Sequence, residues 1–596
     1  MARKNTSTKL TQEQQIVFAS FQKGANIFLC GKGGTGKSFL TRHIIDYCKS
    51  CGKQMLVCAP TGVAATNING VTIHRTFGIP IRLIAPDEFL SVKPDDGEKR
   101  RKYVEKKLKI IRNAEVIIID EISMCRIDTF AWVANTLMHE NPNVQILVVG
   151  DFYQLPPVGP KQKKEKETFF ELYGNRLYAF QSRQWADLGF VKMELQTSMR
   201  QKEKAFINAL NQIREGKPDF NVFNASKELD TAAVTICPTN DTANHINNQQ
   251  IKQLENKGAK VFEIETTTKI IDENFRISDK DYLIEKTLIL CEGAKVVMLN
   301  NDPDGLWVNG SIATVLEVCI NGQNGVEDYI RVEVNGVHAV IKKHTWDIND
   351  HILKQDKHGK SVIEIIPRAA IIQFPVRLAW GMTVHKSQGQ TYDKVNVLAD
   401  GFFADGQMYV ALSRCKTLEG MRIIGTLKQS ELKCSEAVIN YMHGNYNHED
   451  SPTLLASGSL ENAKSSVSME DSEENTPGTI DRYQEGYDDG YEQGTDDTDK
   501  RWQDKIAQDK SIRILSERTV REAEKEELPE EVRNPRGAGR KKKPINEQHP
   551  SKAIRVPCDL ADVLKKIGDY CKEKPDAVPQ VIEQCNKIIT NFCTDN

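Results

Sequence analysis

The sequence predicts an α/β protein built on parallel β-sheets over its first 445 residues. Short apolar runs recur there, and segments of helical length and amphipathic pattern separate them; the clearest runs are residues 25–30, 54–58, 116–119 and 145–149. Strands covered by helices on both faces have such continuous apolar runs. Motifs with phosphate-site chemistry occur in both halves of this region, so we expect two α/β units.

The second unit contains a β-rich segment. Over about residues 259–366 the helical period is absent, and β-branched runs alternate with turn signals, namely Asn309-Gly310, Asn321-Gly322, Asn324-Gly325 and Asn335-Gly336. An Asn-Gly pair between two such runs is a strong hairpin signal. We therefore expect a small β-barrel at residues 291–366, inserted into the second unit.

Length and charge limit the class of protein. A chain of 596 residues is too long for one core, so several domains are expected. No apolar run of about eighteen residues is present, so we expect no membrane segment. No apolar stretch follows the basic residues at the start, so we also expect no secretory signal and an intracellular site for the protein. The scattered cysteines are expected to be reduced thiols.

A net charge of −2 excludes coating of nucleic acid by bulk charge, so any DNA binding must be local.

The composition changes near residue 445. Ser, Asp, Glu and Gly dominate residues 451–500, which favours a disordered acidic linker, extended here over residues 446–532. Residues 533–596 then carry a basic run at 540–543. This end resembles the strand and first helix of a ribbon-helix-helix DNA-binding module, which would dimerise. The alternative is a solvated basic tail before a small helical hairpin.

A glycine-rich loop directly follows the first apolar run and directly precedes a helix-length segment. Its residues are Gly31, Lys32, Gly33, Gly34, Thr35, Gly36, Lys37 and Ser38. Glycines let backbone N–H groups converge on phosphate oxygens at a helix N-terminus, the lysine reaches the terminal phosphates, and the serine hydroxyl binds magnesium. This context indicates a Walker A loop for ATP and Mg2+. The alternative is a turn that only links strand to helix.

Two acidic residues, Asp120 and Glu121, close the apolar run at 116–119. A carboxylate at a strand end can hold the magnesium shell, and the next one can orient or deprotonate the attacking water. We therefore predict Ser38 and Asp120 as metal ligands and Glu121 as the base. Taken alone, an Asp-Glu pair would more simply be two solvated acids, so the prediction depends on the glycine loop.

Further motifs occur in the same order, and with similar residues, as the motifs of Pif-type and RecD-type helicases. They lie at residues 10–14, 59–65, 72–77, 120–124, 150–158, 199–201, 383–391 and 410–414. The most specific is the core His385-Lys386-Ser387-Gln388-Gly389. Over about residues 10–430 the chain resembles a Pif-type (petite integration frequency) superfamily-one DNA helicase, on the RecD-like branch.

The resemblance implies two RecA-like lobes, with an SH3-like β-barrel inserted in the second. It places the first lobe at residues 1–195, with a duplex-splitting wedge near 79–109, and the second at 196–290 and 367–445. It also implies an ATP-driven motor that moves five-prime to three-prime on single-stranded DNA and opens forked duplexes, with the barrel covering the DNA.

The resemblance assigns roles around the nucleotide. Arg200 and Arg414 would reach the γ-phosphate when the two lobes close, and Gln154 would sense that phosphate. Gln14 would read the adenine, and Gly389 would lie at the nucleotide. The alternatives are surface ion pairs for the arginines and a turn position for the glutamine.

Single-strand binding needs phosphate contacts together with planar groups on which bases stack. The motifs that touch DNA in the family supply such groups at Thr61, Gly62, His74, Phe77, Thr383, His385 and Lys386. For Phe77 a core position is the alternative, because Ile79 is an apolar neighbour.

Three classes of function compete. They are a DNA-translocating helicase for replication, recombination or repair, a P-loop ATPase switch without a DNA track, and a DNA-binding scaffold driven by the C-terminal segment. A switch needs neither the motif at 383–391 nor two arginines, so the helicase is favoured. Within that class, a RecD-type or conjugative motor is the nearest alternative.

Overall fold

The computed structural model describes residues 9–223, 230–273, 275–278, 281–282, 284–320 and 327–446. The predicted linker, apart from its first residue, and the predicted C-terminal module lie outside these ranges. The linker, the module and its dimerisation therefore stay predictions.

The first sheet has six parallel strands in the order β3-β2-β4-β5-β1-β6. They are β1 (Ile27–Gly31), β2 (Met55–Ala59), β3 (Val71–Thr72), β4 (Val116–Ile119), β5 (Gln145–Val149) and β6 (Val191–Leu195). The predicted apolar runs coincide with β1, β2, β4 and β5. The parallel α/β prediction is thus confirmed for the first unit.

The first unit also contributes eight helices to the described part of the chain. They are α1 (Gln12–Gln22), α2 (Lys37–Ser50), α3 (Gly62–Asn67), α4 (Ile73–Thr76), α5 (Glu98–Arg112), α6 (Ile127–Glu140), α7 (Lys163–Tyr173) and α8 (Arg183–Asp187). Within the described ranges, no helix of the protein has the length and apolar character that crossing a membrane requires.

Strand β1 shows why the sheet strands are apolar throughout. Phe28 and Cys30 belong to one hydrophobic core, whereas Ile27 and Leu29 belong to another, and all four side chains are fully buried. Successive side chains of a strand point to opposite faces, so both faces of this sheet are covered. The strand ends are then the only places where polar side chains can be added at low cost.

The second sheet is smaller and also parallel, with the order β18-β7-β19-β20. Its strands are β7 (Val234–Cys237), β18 (Gly381–Thr383), β19 (Val395–Leu398) and β20 (Met421–Ile424). The helices of this half are α9 (Lys204–Arg214), α10 (Asn240–Asn256), α11 (Gln407–Leu412) and α12 (Glu436–His443). The second predicted α/β unit is therefore present.

Between β7 and β18 the chain forms antiparallel strands. A five-stranded sheet has the order β14-β13-β12-β11-β17, a three-stranded sheet the order β15-β16-β9, and β8 pairs with β10. The strands are β8 (Phe262–Glu265), β9 (Thr267–Ile270), β10 (Thr287–Leu290), β11 (Lys295–Met298), β12 (Ile312–Cys319), β13 (Tyr329–Val334), β14 (Val337–Lys342), β15 (His344–Gln355), β16 (Ser361–Gln373) and β17 (Val376–Leu378). Antiparallel pairing thus extends beyond residues 291–366 on both sides.

The turn between β13 and β14 shows how the sequence sets this topology. Asn335 and Gly336 have φ angles of 52° and 74°, and Val334 pairs with Val337 on either side of them. A two-residue type I′ turn requires positive φ at both central positions, which Asn-Gly tolerates best. The hairpin predicted at this pair is confirmed.

The long hairpin of β15 and β16 reaches back to the first lobe. The Lys107 ammonium on α5 lies 2.6 Å from the Asp350 carboxylate on β15. The amide N–H of Ile363 on β16 donates to the side chain of Gln54 at 2.6 Å. Helix α5 overlaps the segment near 79–109 where the wedge is expected, so the antiparallel region is fixed to that segment by a charged contact.

Helix α12 packs differently from the sequence prediction. Residues 367–445 were assigned to the second lobe, but Val438 and Met442 belong to a core of the first sheet. The Trp185 indole N–H donates to the Tyr441 hydroxyl at 2.8 Å. The described chain thus ends on the lobe where it began, because α12 offers an apolar stripe that the first lobe covers.

We predict that the Lys107–Asp350 pair stabilises the contact between α5 and the hairpin. Lys107→Ala should lower the thermal midpoint, because removing one partner of a buried ion pair costs about 3–5 kcal/mol. Arg368 lies 3.7 Å from Asp350 and retains part of the attraction, so the loss should fall at the lower end of that range. Lys106→Ala, an exposed site on the same helix, is the control. Equal midpoints for the two variants would show that the pair contributes nothing.

Candidate nucleotide and DNA site

The glycine loop joins the end of β1 to the start of α2. Gly34 and Gly36 have φ angles of 83° and 86°, in the left-handed region that favours glycine. A Cβ on Gly31 would lie 2.6 Å from the Leu195 carbonyl oxygen, and one on Gly34 would lie 2.4 Å from the Arg200 Cβ. Side chains are therefore excluded at Gly31 and Gly34, where the backbone of the loop runs into the N-terminus of α2.

Lys37 lies over this loop. Its Nζ donates to the carbonyl oxygens of Gly31 at 2.6 Å and Lys32 at 3.0 Å. Burial lowers the pKa of Lys37, and the nearby carboxylates of Asp151 and Glu121 oppose that effect. Carbonyl oxygens are weak partners for an ammonium group, so a phosphate oxygen would hold Lys37 better.

Other loop residues and Gln14 surround the same place. Thr35 donates its hydroxyl to the Lys32 carbonyl oxygen, and Ser38 is exposed in the first turn of α2. The amide nitrogen of Gln14, on α1, would lie 2.7 Å from a Cβ on Gly36. The structure therefore brings the predicted adenine-reading glutamine beside the glycine loop.

Asp120 and Glu121 follow β4 at the same edge of the sheet. The Glu121 backbone N–H donates to Asp120 Oδ1 at 2.9 Å, and Glu121 has a φ of 51°, an unusual conformation for a non-glycine residue. Burial, followed by the charge of Glu121, raises the pKa of Asp120 to about 7. Burial also raises the pKa of Glu121. Carboxylate and hydroxyl oxygens such as those of Asp120, Glu121 and Ser38 are the hard ligands that magnesium prefers.

Two arginines that follow the first sheet in the chain, Arg200 and Arg414, meet the loop. A Cβ on Gly33 would lie 3.3 Å from Arg200 Nη1 and 3.6 Å from Arg414 Nη2. Arg414 is 1% exposed and donates to the carbonyl oxygens of Val410 at 2.8 Å and Gln390 at 3.3 Å. Burial and the neighbouring Arg414 lower the pKa of Arg200 to about 9.

The partners of these arginines are unusual for buried charges. Arg200 Nη1 donates to the Ser413 carbonyl oxygen at 3.0 Å. Across the described residues, neither arginine has a carboxylate within ion-pair distance. Buried charges are normally paired with opposite charges, so two adjacent guanidinium groups on a phosphate-type loop form a site for an anion.

Sequence reasoning missed two residues of this site. The Gly33 N–H donates to the Tyr409 hydroxyl at 3.3 Å, and the Gln388 amide donates to Glu121 Oε2 at 3.4 Å. Gln388 lies inside the motif at 383–391 and Tyr409 directly precedes the one at 410–414, so the motifs could have pointed to both. Gly389, next to Gln388, has a φ of 78° and allows the loop to turn there.

Comparisons with known proteins agree with this geometry. A family model described as PIF1-like helicase matches residues 9–222. The ATP-dependent DNA helicase Pif1 of Campylobacter jejuni is 30% identical over 423 residues, which cover 68% of this chain and 89% of that protein. Human ATP-dependent DNA helicase PIF1 is 28% identical over 463 residues, covering 73% of this chain and 64% of the human protein.

Solved structures give the same result. The crystal structure of Bacteroides sp Pif1 in complex with ADP-AlF4 is 29% identical, with a TM-score of 0.62, and the match covers 73% of this chain and 97% of that chain. This chain belongs to the PIF1-like helicase family. The resemblance inferred from the motifs is thereby confirmed, as is the α/β fold with parallel sheets.

In this family member, Gln154 lies at the contact between the lobes. Its amide donates to Asp151 Oδ2 at 3.4 Å, and Asp151 Oδ1 accepts a hydrogen bond from Arg214 at 3.0 Å. Arg214, on α9, also lies 4.0 Å from the centre of the Tyr153 ring. Sequence reasoning missed both Asp151 and Arg214. They connect the segment at 150–158 to the second lobe.

The predicted DNA-contact residues divide into two groups. Thr61 caps α3 by accepting from the Ala64 N–H at 3.2 Å, Gly62 is the first residue of that helix, and His74 is exposed on α4. Lys386 is exposed, and its Nζ lies 3.0 Å from Glu285 Oε1. These groups lie where a ligand can reach them.

Phe77 and Thr383 do not fit the predicted role. The Phe77 side chain is fully buried in a core of the first lobe, so the stacking prediction is wrong and the core alternative is correct. Thr383 is 2% exposed, and its hydroxyl oxygen accepts the Lys386 N–H at 3.3 Å, so it shapes the loop and presents no hydroxyl to DNA. Burial lowers the pKa of His385 to about 4, which keeps its imidazole neutral.

We predict that Arg214 holds the segment at 150–158 in place. Arg214→Met should speed amide hydrogen exchange there by at least about tenfold, because Asp151 would be left buried and unpaired. Arg183→Met is the control, since the Arg183 side chain is 84% exposed. Unchanged exchange in the Arg214 variant would mean that Asp151 and Gln154 are held by other contacts.

Proposed function

We propose that this protein is an ATP-dependent DNA helicase that moves five-prime to three-prime along single-stranded DNA and opens forked duplexes. One observation carries the proposal: the half-buried Arg200 and the buried Arg414, which both follow the first sheet in the chain, lie against Gly33 of the glycine loop without a carboxylate partner among the described residues. A triphosphate placed there would touch both lobes. ATP binding and hydrolysis would then close and open the cleft.

The roles of the nucleotide-site residues follow from their positions. The loop residues that would hold the phosphates are Gly31, Lys32, Gly33, Gly34, Thr35, Gly36 and Lys37. Ser38 and Asp120 supply oxygen atoms that fit Mg2+, an ion that neutralises phosphate charge when bound. Glu121 would accept a proton from water. Gln14 would contact the adenine base of the nucleotide. Gly389 would lie at the nucleotide in the loop of the second lobe.

The cleft explains how hydrolysis could drive movement. Gln154 shares Asp151 with Arg214, so a change at the γ-phosphate reaches the second lobe through a buried ion pair at 3.0 Å. Loss of the γ-phosphate removes the anion that Arg200 and Arg414 share. The lobes then separate, and each ATP cycle yields one closing and one opening motion.

The DNA track would pass the exposed groups of both lobes. Thr61, Gly62 and His74 belong to the first lobe, and Lys386 belongs to the second, beside His385. Solved Bacteroides Pif1 bound to ssDNA matches this chain with a TM-score of 0.51 and 29% identity, which supports a single-stranded partner. A helicase acts where DNA is, so we expect it inside the cell, at the nucleoid in a bacterium or in the nucleus of a eukaryote.

A strand-displacement assay tests the proposal. With ATP and magnesium, duplexes with a five-prime tail should be unwound and those with a three-prime tail should not. Lys37→Ala and Glu121→Gln should abolish both unwinding and steady-state hydrolysis, because they remove the phosphate ligand and the base, while Glu121→Gln should still bind ATP and retain a slow hydrolysis that single-turnover experiments can follow. Lys37→Ala turnover within a few-fold of the wild type would refute the nucleotide site. Unwinding from three-prime tails alone would refute the polarity.

Arg414 supplies a second test. Arg414→Ala should leave nucleotide affinity nearly unchanged but slow DNA-stimulated hydrolysis by about 10³- to 10⁵-fold, the range for arginine fingers. Because Arg414 is buried, Arg414→Lys is tested beside it; the lysine keeps the charge without the planar fork and should also be slow. Arg183→Ala, at an exposed site, should behave as the wild type. A loss below about tenfold would exclude a finger role.

A further inference from the structure

Gln388 connects the second lobe to the predicted base. It lies in the loop after β18, and its amide nitrogen is 3.4 Å from Glu121 Oε2. Glu121 belongs to the first lobe, so this is a hydrogen bond across the cleft in which the arginines lie. A hydrogen bond to a carboxylate fixes the orientation of both groups.

The other end of the same side chain has no hydrogen bond. Gln388 Oε1 is buried and has no hydrogen-bond partner among the described residues. Leaving a buried acceptor unsatisfied costs about 1–3 kcal/mol, so native structures rarely keep one without a reason. Gln388 Oε1 lies next to Glu121, the predicted base, in the cleft that would hold the γ-phosphate. A water molecule there would be a suitable hydrogen-bond donor to it.

We propose that Gln388 orients the attacking water together with Glu121, its amide N–H holding the carboxylate and its Oε1 accepting a hydrogen bond from the water. In the step, the water oxygen forms a bond to the γ-phosphorus while the bond from that phosphorus to the β–γ bridging oxygen breaks. One water proton goes to Glu121, and the bonding electron pair leaves with ADP. Gln388 is unchanged. This inference rests on the proposed ATPase function and deepens it.

The loop that carries Gln388 also explains how DNA could control the reaction. Lys386, two residues earlier, is the exposed cation that would meet a DNA phosphate. Arg414 donates to the carbonyl oxygens of Ser387 at 3.5 Å and Gln390 at 3.3 Å. One short loop therefore holds the arginine and Gln388 together, so a DNA contact at Lys386 would set both at once.

A double-mutant cycle tests the inference. Gln388→Met keeps the length of the side chain and removes both polar atoms, and it should lower kcat for DNA-stimulated hydrolysis by about 10²-fold, at the low end of general acid–base effects. The KM for ATP and the affinity for a fluorescent ATP analogue should change by less than about threefold. In a Glu121→Gln background, measured by single-turnover hydrolysis of labelled ATP, Gln388→Met should cost nothing further, because both act on one water.

The controls separate the possible failures. Gln429→Met, at an exposed glutamine of the second lobe, should behave as the wild type. Gln388→Glu is the second variant if Gln388→Met does not fold, and it should also be slow because it sets a like charge beside Glu121. A wild-type protein without DNA-stimulated hydrolysis would refute the proposed function. An active wild type with additive effects in the cycle, or a Gln388 variant within about threefold of it in kcat, would refute the inference alone.

A structural readout does not depend on turnover. In a crystal of the wild-type protein with ADP, magnesium and aluminium fluoride, Gln388 Oε1 should lie about 3 Å from the water opposite the leaving oxygen. A Gln388 side chain turned away from that water would overturn the inference. The same crystal of Glu121→Gln should keep the water in contact with Gln388.

Discussion

The contact of two guanidinium groups, the half-buried Arg200 and the buried Arg414, with the glycine loop is the feature on which the proposed nucleotide cleft depends. Arg200 and Arg414 donate to carbonyl oxygens, with hydrogen bonds of 3.0 Å to Ser413 and 2.8 Å to Val410. Carbonyl dipoles stabilise buried charge only in part, so a polyphosphate would be a better partner for the two guanidinium groups. Because the loop and the arginines belong to different lobes, an anion between them would bind the two lobes together.

The loop at 383–391 depends on that contact and extends it. Its carbonyl oxygens at Ser387 and Gln390 hold Arg414, its Gln388 side chain reaches Glu121, and its Lys386 is exposed. Gly389 has a φ of 78°, so the backbone can turn there and bring these contacts together within a few residues. A short loop with this many fixed points has few ways to move. Its exposed end and the contacts to Arg414 and Glu121 therefore lie within five residues of each other.

The sequence predicted most of the features that depend on local pattern. Apolar runs located four strands of the first sheet, and the Asn335-Gly336 pair located a hairpin, because both signals arise from neighbours along the chain. It failed where distant residues decide the outcome. Phe77 was misassigned because a buried and an exposed aromatic look alike in a short motif, and α12 because nothing local shows which core its apolar stripe covers. Tyr409 and Gln388 were missed since their partners lie more than 260 residues away.

The pairing of Lys386 indicates how a chain with a net charge of −2 could respond to DNA in the proposed function. Burial opposes ionisation of Glu285, but Arg377 and Lys386 together lower its pKa to about 2, so the carboxylate is charged at neutral pH. A DNA phosphate bound at Lys386, as proposed, would have to replace Glu285 there, and its binding energy would be the difference between two similar ion pairs. Affinity at this point is modest for that reason. In this proposal the exchange of Glu285 for a phosphate at Lys386 would be the event by which DNA changes the loop that holds Arg414.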